Sequence, residues 1–586
     1  LQINLKYQKM NFKLLPIIAL ISVSFFSNLS SVACTNYLVS KGASADGSTM
    51  VSYAADSHVR YGELYWKPAA NWPAGTMVTL YDRGTAKPTG QIPQVPHTYQ
   101  VIGFMNEHQV AIGETTFGGR PELFDSTGVV DYGSLMFLAL QRSKTAREAI
   151  KVIAELMDQF GYASTGESFS IGDPNEVWIM ELIGKGVDMQ IQKKTKKQFN
   201  ANKGGVWVAM RVPDGYISSH ANASRITIFP LSDGKKSISS KELDKLFQPE
   251  TEVVYAHDVI TFARSKGYFT GEDKDFSFSA AYAPVDFGGA RFCDIRVWTF
   301  FNQVAGGMDK YFDYVKGDLT KERIPLFIKP DRKLTPRDLM AAKRNHLEGT
   351  PLDMSKDPGA GPFGLPYRWR PMTWKYDGKE YFNERVTATQ QTGFSFIAQM
   401  RSWLPDPVGG IFWFGVDDAN TTVYVPFYCG INRVPEVFAE RNGDMLTWSD
   451  TSGFWIFTRV AHFGYLFYDR VISDIRKVQT ELEDKFAAFT PAIDGAAAEY
   501  WKTDPAGARE FLTDFSGNQA RTAVSRWKEL GDFLMVKYMD GNVKQEKDGK
   551  FIRNPWNFPT SPSFPGYPDG WKKTVVEDAG EKLKHP

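Results

Sequence analysis

Apolar residues recur along this chain in three patterns, and each predicts a different kind of element. From Leu14 to Phe26 they form a nearly unbroken run, with one Lys before it and a polar stretch behind it. Between residues 145 and 162, TAREAIKVIAELMDQFGY sets Ala149, Ile150, Ile153, Leu156 and Met157 at the spacing of one helix face. The same period returns in YDRVISDIRKVQTELEDKFAAF (468–489), at Val471, Ile472, Ile475, Val478, Leu482 and Phe486, and residues 455–540 read as helical throughout. Elsewhere, short strand-like runs end at Gly, Asn or Asp. VIGFMNEHQVAIGETTFGG (101–119) reads as two strands about a turn at Asn106-Glu107, and GESFSIGDPNEVWIMEL (166–182) as a hairpin turning at Asp173-Pro174-Asn175. Strands thus precede the helix at 145–160 and follow it. Residues 541–586 are rich in Lys, Pro and aromatics with little periodicity, which predicts a surface-draped tail. No internal repeat or low-complexity linker divides the chain.

The first apolar run has the layout of a secretory signal: Met10, Lys13, the run itself, then Ser31-Val32-Ala33 as an A-x-A-like cleavage site. It is shorter than the ~20 residues that span a bilayer, and no later stretch reaches that length. The protein is therefore expected to be exported, to the periplasm or beyond the cell, without stable membrane insertion after processing. Residues 1–9 precede Met10 and read as upstream sequence. Cleavage after Ala33 would leave Cys34 at the new N-terminus. Three readings of Cys34 stay open here: a buried thiol, a lipid attachment point, or a first residue with a chemical role. Lipidation favours a bulky aliphatic residue three places before the Cys; Ser31 and Ala33 suit the ordinary signal peptidase instead.

Composition narrows the classes. With 586 residues, 42% hydrophobic and 14% aromatic, the chain suits one large packed domain with appendages, or several domains. A formal net charge of +1 gives neither a basic footprint for nucleic acid nor an acidic tail. Three cysteines cannot make a disulfide framework, and eight scattered histidines show no HExxH spacing, so no metal is expected. No GxGxxG or GxxxxGK[ST] is present, so no nucleotide cofactor is expected either.

An N-terminal cysteine has a chemical use. A free thiol titrates near 8.5 and needs a base or a positive field, and an α-amino group titrating near 8 is a base on the same residue. Before cleavage that nitrogen is an amide with no basicity, so removal of the leader would create nucleophile and base together.

From Cys34 onward the sequence resembles peptidase family C69, dipeptidases of the N-terminal-nucleophile hydrolase superfamily and relatives of the penicillin V acylases and bile-salt hydrolases. The resemblance rests on Cys34-Thr35-Asn36-Tyr37-Leu38-Val39 with the Asp46-Gly47 turn. It continues through the blocks at 101–119, 145–162, 166–182, GVWVAMRVPDGYISSHANASRI (205–226), RFCDIRVWTFFN (291–302) and TTVYVPFYCGINRVPEVF (421–438), covering most of 34–540 in order. It implies an α+β fold, a four-layer αββα sandwich over 34–455, followed by a helical region at 456–540 and the tail. It also implies hydrolysis of small peptides by Cys34 through an acyl-enzyme, without cofactor or metal. Asp56 in MVSYAADSH stands where the family carries an Asp that holds the amine and thiol. Tyr53 departs from the pattern, since the family usually has Arg there, a cation that would lower the thiol pKa or bind a substrate carboxylate.

Six further positions are candidates. Arg211 ends an apolar strand, from which it would point into a cleft or into an ordinary ion pair. Asn222 in SHANASRI would give its amide to the oxyanion. Arg296 aligns with a family Arg and Arg291 lies five residues earlier; one of the two would balance charge behind the nucleophile, or both would be structural ion-pair partners. Thr115 and Thr116 would line the cleft, whereas Asn106-Glu107 would be a turn and Cys293 and Cys429 buried small hydrophobes. Two rival functions remain: an amidase of the same fold acting on N-acyl or conjugated amides, which the Tyr53 departure favours, and a lipid-anchored binding protein. The oligomeric state is left open.

Overall fold

A computed structural model describes residues 34–586; the expected leader and its junction at Ala33 lie outside the described residues. The architecture is α+β. The chain opens with β1 (Thr35–Val39) and β2 (Thr49–Asp56), then β3 (Ala111–Gly118), α1 (Tyr132–Arg142) and α2 (Ala146–Phe160). Next come β4 (Gly166–Gly172), β5 (Val177–Gly184), β6 (Gly205–Arg211) and β7 (Ile217–His220). Then follow α3 (Ile295–Val304), α4 (Pro336–Lys343), β8 (Thr392–Met400), β9 (Ile411–Val416) and β10 (Val425–Tyr428). The helices α5 (Gly453–Leu466), α6 (Tyr468–Thr503), α7 (Pro505–Tyr538) and α8 (Asp569–Ala579) complete it.

Two large sheets result. A seven-stranded sheet runs β7-β1-β2-β8-β9-β10, with Phe327–Ile328 beyond β7. A nine-stranded sheet has β6-β5-β4-β3 at its antiparallel centre, flanked by short strands. β1 and β2 pack face to face on β3, β4 and β5. Period-two alternation then sorts the residues of β1. Cys34, Asn36 and Leu38 share one face, and Asn36 reaches Ser170 of β4. Thr35 and Tyr37 take the other face, where Tyr37 stacks on Phe300 of α3 with ring centroids 4.1 Å apart. At a close approach of the sheets stands Gly113, where a Cβ would lie 2.7 Å from the Asn36 amide and 3.1 Å from Tyr53 Cβ. Any side chain there would push β3 away from β1.

Helices cover the outer faces. α1 packs on β3, and α2 on β4, β5 and β6, while α3 lies on β7 and α4 on β2 and β8. The expected helix at 145–160 is α2, begun by a Thr145 side chain that accepts from Glu148 N–H and ended at Gly161. α4 starts with a reciprocal capping box between Thr335 and Asp338 and a Pro at its first turn. The stripe read at 468–489 is the buried face of a longer helix, α6, on which Val471, Ile475, Val478, Leu482 and Phe486 are buried. α7 packs on β10, and Ser516 Oγ accepts from the Tyr428 N–H at 3.4 Å, so a helix covers this sheet edge. Residues from Cys34 to Leu534 share one apolar core. The tail at 541–586 contains more order than its composition suggests: a short hairpin, Glu546–Lys547 with Lys550–Phe551, and the exposed helix α8.

Candidate active site

Cys34 immediately precedes β1, fully buried, and inherits the strand's alternation: its side chain enters the space between the sheets. Its Sγ lies 3.7 Å from Tyr53 Oη and 3.7 Å from Glu114 Oε1. Tyr53 Oη in turn donates to Glu114 Oε1 at 2.5 Å. The residue at the departing position therefore touches the thiol and holds the carboxylate beside it. Burial, then Glu114 and Asp56, push the thiol well above its ordinary pKa.

The Cys34 backbone nitrogen donates to Asn222 Oδ1 at 2.8 Å. Asn222 sits at a φ of 64°, a left-handed conformation that Asn adopts more readily than most side chains. Glu181 of β5 fixes the loop behind it, accepting from Ser224 Oγ and from the N–H groups of Arg225 and Ile226. Asn222 Nδ2 donates to the Thr116 carbonyl at 2.7 Å. The amide oxygen thus faces the Cys34 nitrogen and one Nδ2 hydrogen goes to the Thr116 carbonyl, so the expected oxyanion role would rest on the other hydrogen of that amide.

Arg296 lies against the other side of the same backbone. The wide π turn Gly289–Asp294 leads into α3, and Arg296 leaves its first turn with Nε on the Phe292 carbonyl at 2.8 Å. Nη1 donates to the Cys34 carbonyl at 2.6 Å and to Thr35 Oγ1 at 2.9 Å. Nη2 donates to the Ala221 carbonyl at 2.9 Å and to Asn222 Oδ1 at 3.0 Å. Burial, with Arg385 nearby, lowers its pKa to about 10.

Asp56 comes close by a different route from the one expected. Its carboxylate accepts from Arg385 Nη2 at 2.5 Å and from Thr392 Oγ1 at 2.7 Å, while its backbone N–H is the part directed at the Cys34 sulfur. The register shift between Ala55 and Asp56 at the end of β2 accompanies this orientation.

Arg211 is not brought to the site. It ends β6 at the far end of the sheet from Thr116, in ion pairs with Glu176 at 3.5 Å and Glu252 at 3.2 Å. The strand-end ion pair is its role here. Arg291 pairs with Glu384, away from Cys34. Thr115 bonds His220 Nδ1 at 2.7 Å, and Ser170 bonds His220 Nε2 at 2.7 Å; burial lowers that imidazole to about 3, leaving it neutral. Cys429 is buried and pushed up to about 12 by desolvation, whereas Cys293 is only partly buried, beside Arg296.

Three ionisable groups escaped the sequence reading. Lys343, at the end of α4, is fully buried; its Nζ donates to the Thr35 carbonyl and stands 4.3 Å from the Tyr37 ring centroid. Burial lowers its pKa to about 7, against the opposing pull of Asp56 and Cys34. Its signal was position, since Lys343 shares a helix face with Leu339 and Met340. Glu114 and Glu167 are the others. Cross-strand register puts Thr116 opposite Glu167, so Glu114, two residues along β3, shares their face. Both carboxyls are raised, first by burial. Their signal was a charge inside an otherwise buried strand.

Among the described residues no group of three or more His, Cys, Asp or Glu side chains is placed to hold a metal ion. An α+β fold with a buried thiol beside a phenol and a carboxylate is compatible with hydrolase chemistry. More narrowly, residues 68–481 match the model of peptidase family C69, and the chain belongs to that family. A probable dipeptidase of Salmonella dublin is 24% identical over 429 residues, covering 69% of this chain and 82% of that protein. The probable dipeptidase of Latilactobacillus sakei is 23% identical over 491 residues, 79% of this chain and 89% of its own. The dipeptidase of Bifidobacterium longum strain NCC 2705 is 22% identical over 443 residues, 69% and 72% respectively.

Proposed function

We propose that this chain is an exported cysteine-type dipeptidase whose nucleophile is the Cys34 thiol, armed by removal of residues 1–33. Family membership and the names of the relatives support peptide hydrolysis. The observation that carries the mechanism is the pairing of Cys34 nitrogen with Asn222 Oδ1 while the thiol of the same residue is sealed between the sheets. As an amide, that nitrogen offers the thiol no base. As an amine, it donates one hydrogen to Asn222 and turns its lone pair to the sulfur, pre-positioned by belonging to the same residue.

Arg296 and Lys343 act from the helix side, where positive charge disfavours protonation of the amine and favours the thiolate. The thiol proton passes to the amine and sulfur attacks the scissile carbonyl carbon. The amine then returns the proton to the leaving nitrogen, and water hydrolyses the thioester. On this reading the two sheets with α1–α2 and α3–α4 outside them form the αββα sandwich of the N-terminal-nucleophile hydrolases, acting on small peptides without a cofactor.

Intact-mass analysis of the exported protein is expected to show a free Cys34 at the N-terminus. Cys34→Ser should mature normally yet lose at least ~1,000-fold in kcat/KM on a dipeptide. A diacylglyceryl adduct on Cys34, or full activity in the Ser variant, would overturn the proposal.

A further inference from the structure

Away from the thiol, a cavity of about 470 Å³ opens between α4, α6 and the strands β8 and β9. That is within the roughly 300–1,000 Å³ of small-molecule sites. Strand alternation places it on the opposite face of the seven-stranded sheet from Cys34. Phe396 of β8 meets the Tyr53 ring on the inner face, where Tyr53 also approaches the thiol. Gln399, three residues along β8, therefore points outward. So does Trp413 of β9, which stands opposite Ile397 in register. Both line the cavity.

Its walls join apolar ring surface to hydrogen-bond acceptors. Trp413 is 5% exposed and sends its indole N–H to Gln399 Oε1 at 3.1 Å, so it offers the cavity a ring face and not a donor. Trp403 is 51% exposed and adds a second indole, beside Met340 and Pro491. Both guanidiniums in the wall are already matched, Arg337 by Glu483 and Asp484, and Arg401 by Asp494. Asp46 spreads its charge over hydrogen bonds instead. Its Oδ1 accepts from Ser44 Oγ, Ser48 N–H and Ser48 Oγ, and its Oδ2 from Gln399 Nε2 at 2.8 Å. With that one donor, Oδ2 keeps a lone pair for another.

α6 supplies a further acceptor. Pro491 lies inside this helix and has no N–H to give the Ala487 carbonyl, one turn back. Ala487 and Pro491 both line the cavity. The carbonyl that the helix leaves without its usual donor thus belongs to the wall.

We propose that this cavity binds a neutral sugar of one or two pyranose rings, at a site separate from the peptidase centre. Such a ring has an apolar C–H face and hydroxyl donors around its edge. The face lies on the indoles, and the hydroxyls donate to Asp46 Oδ2 and to the Ala487 carbonyl. An anion would find no unmatched guanidinium in this wall. A flat aromatic ligand would cover the indoles but leave the acceptors unmet.

Calorimetric titration with methyl β-D-glucopyranoside, cellobiose and N,N′-diacetylchitobiose tests the site without depending on peptide hydrolysis. At least one of the three should bind wild type with a Kd below ~1 mM. Trp403→Ala, with folding checked by melting temperature, should weaken that binding at least ~10-fold. Pro491→Ala returns a helical donor to the Ala487 carbonyl. Affinity should then fall ~5-fold or more while the melting temperature holds or rises, a pairing that damage to the fold would not produce. Hydrolysis of L-alanyl-L-alanine should stay within ~2-fold of wild type in both variants, because the sheet stands between cavity and thiol.

No binding of any of the three sugars up to ~20 mM, or an unchanged Kd in Trp403→Ala, would overturn the proposal. So would indole or tryptamine binding more tightly than every sugar, which would make the cavity an aromatic or cationic site. Hydrolysis that falls in step with sugar affinity would overturn its separateness from the peptidase centre.

Discussion

On the helix side of β1, Arg296 directs five hydrogen bonds at five oxygens, the full donor capacity of a guanidinium. On the sheet side, Glu114 and Glu167 are equally buried, and their carboxyls, both raised first by that burial, have each other rather than a cation as partner. Both arrangements remove charge from water, which is costly in either sign. The first is satisfied within the protein and can only position. The second has no fixed countercharge, and its two carboxyls are held up toward their neutral form and bond to each other. A single strand of backbone, with the candidate nucleophile at its start, separates the two.

The largest effect should come from breaking the saturated side. Arg296→Ala strands carbonyls of Cys34, Ala221 and Phe292, and is expected to cost about 3 kcal/mol or more in urea unfolding and at least ~100-fold in kcat/KM. Arg296→Lys keeps the charge but not the fork, and wild-type behaviour in that variant would break the contrast. Next, Asn222→Ala releases the nitrogen of the candidate nucleophile. kcat should fall ~100-fold while KM changes less than ~3-fold, because positioning is lost and substrate contacts are not. A comparable rise in KM would move Asn222 to the substrate.

Tyr53→Phe removes the hydroxyl between Sγ and Glu114. A loss of roughly 10-fold in kcat/KM is expected, the size of one hydrogen bond to a charged group.

The smallest effect separates the two sides by sign. Burial holds the Glu167 carboxyl well above its ordinary value, so its native-state contribution is complete at low pH and lost as pH rises through the folded pKa. Lys343 is held down to about 7 from an ordinary 10.5, so its contribution is present above 10.5 and lost as pH falls toward 7. In urea unfolding across pH 5–10, the stability of Glu167→Gln relative to wild type should grow with pH. That of Lys343→Met should shrink as pH rises above about 7. Slopes of the same sign would show that the two faces do not differ as described.

What could be read from the chain alone follows from the range of the interactions. Helices α2 and α6 and the strands about Asn106 are encoded by local period and turn chemistry, and they stand where those patterns place them. Cys34 and Arg296 were legible through ordered blocks of a family. Arg211 was not, because a strand-end Arg reads the same whether it faces a cleft or two glutamates. Asn222 was found beside Cys34, but the sequence does not show which end of its amide meets that residue. Glu114, Glu167 and Lys343 come from three separate elements, and only folding places them around one thiol.

The bonds that build this corner join residues very far apart in the chain. Cys34 meets Asn222 across 188 positions, Arg296 across 262, and Thr35 meets Lys343 across 308. β2 then waits for β8, and the edge at β10 for α7. A chain emerging from N- to C-terminus has made its first described residue long before any of these partners exists, and such distant pairings form late. Assembly order thus acts as a timer: the thiol stays without its surroundings until more than half the polypeptide has been delivered.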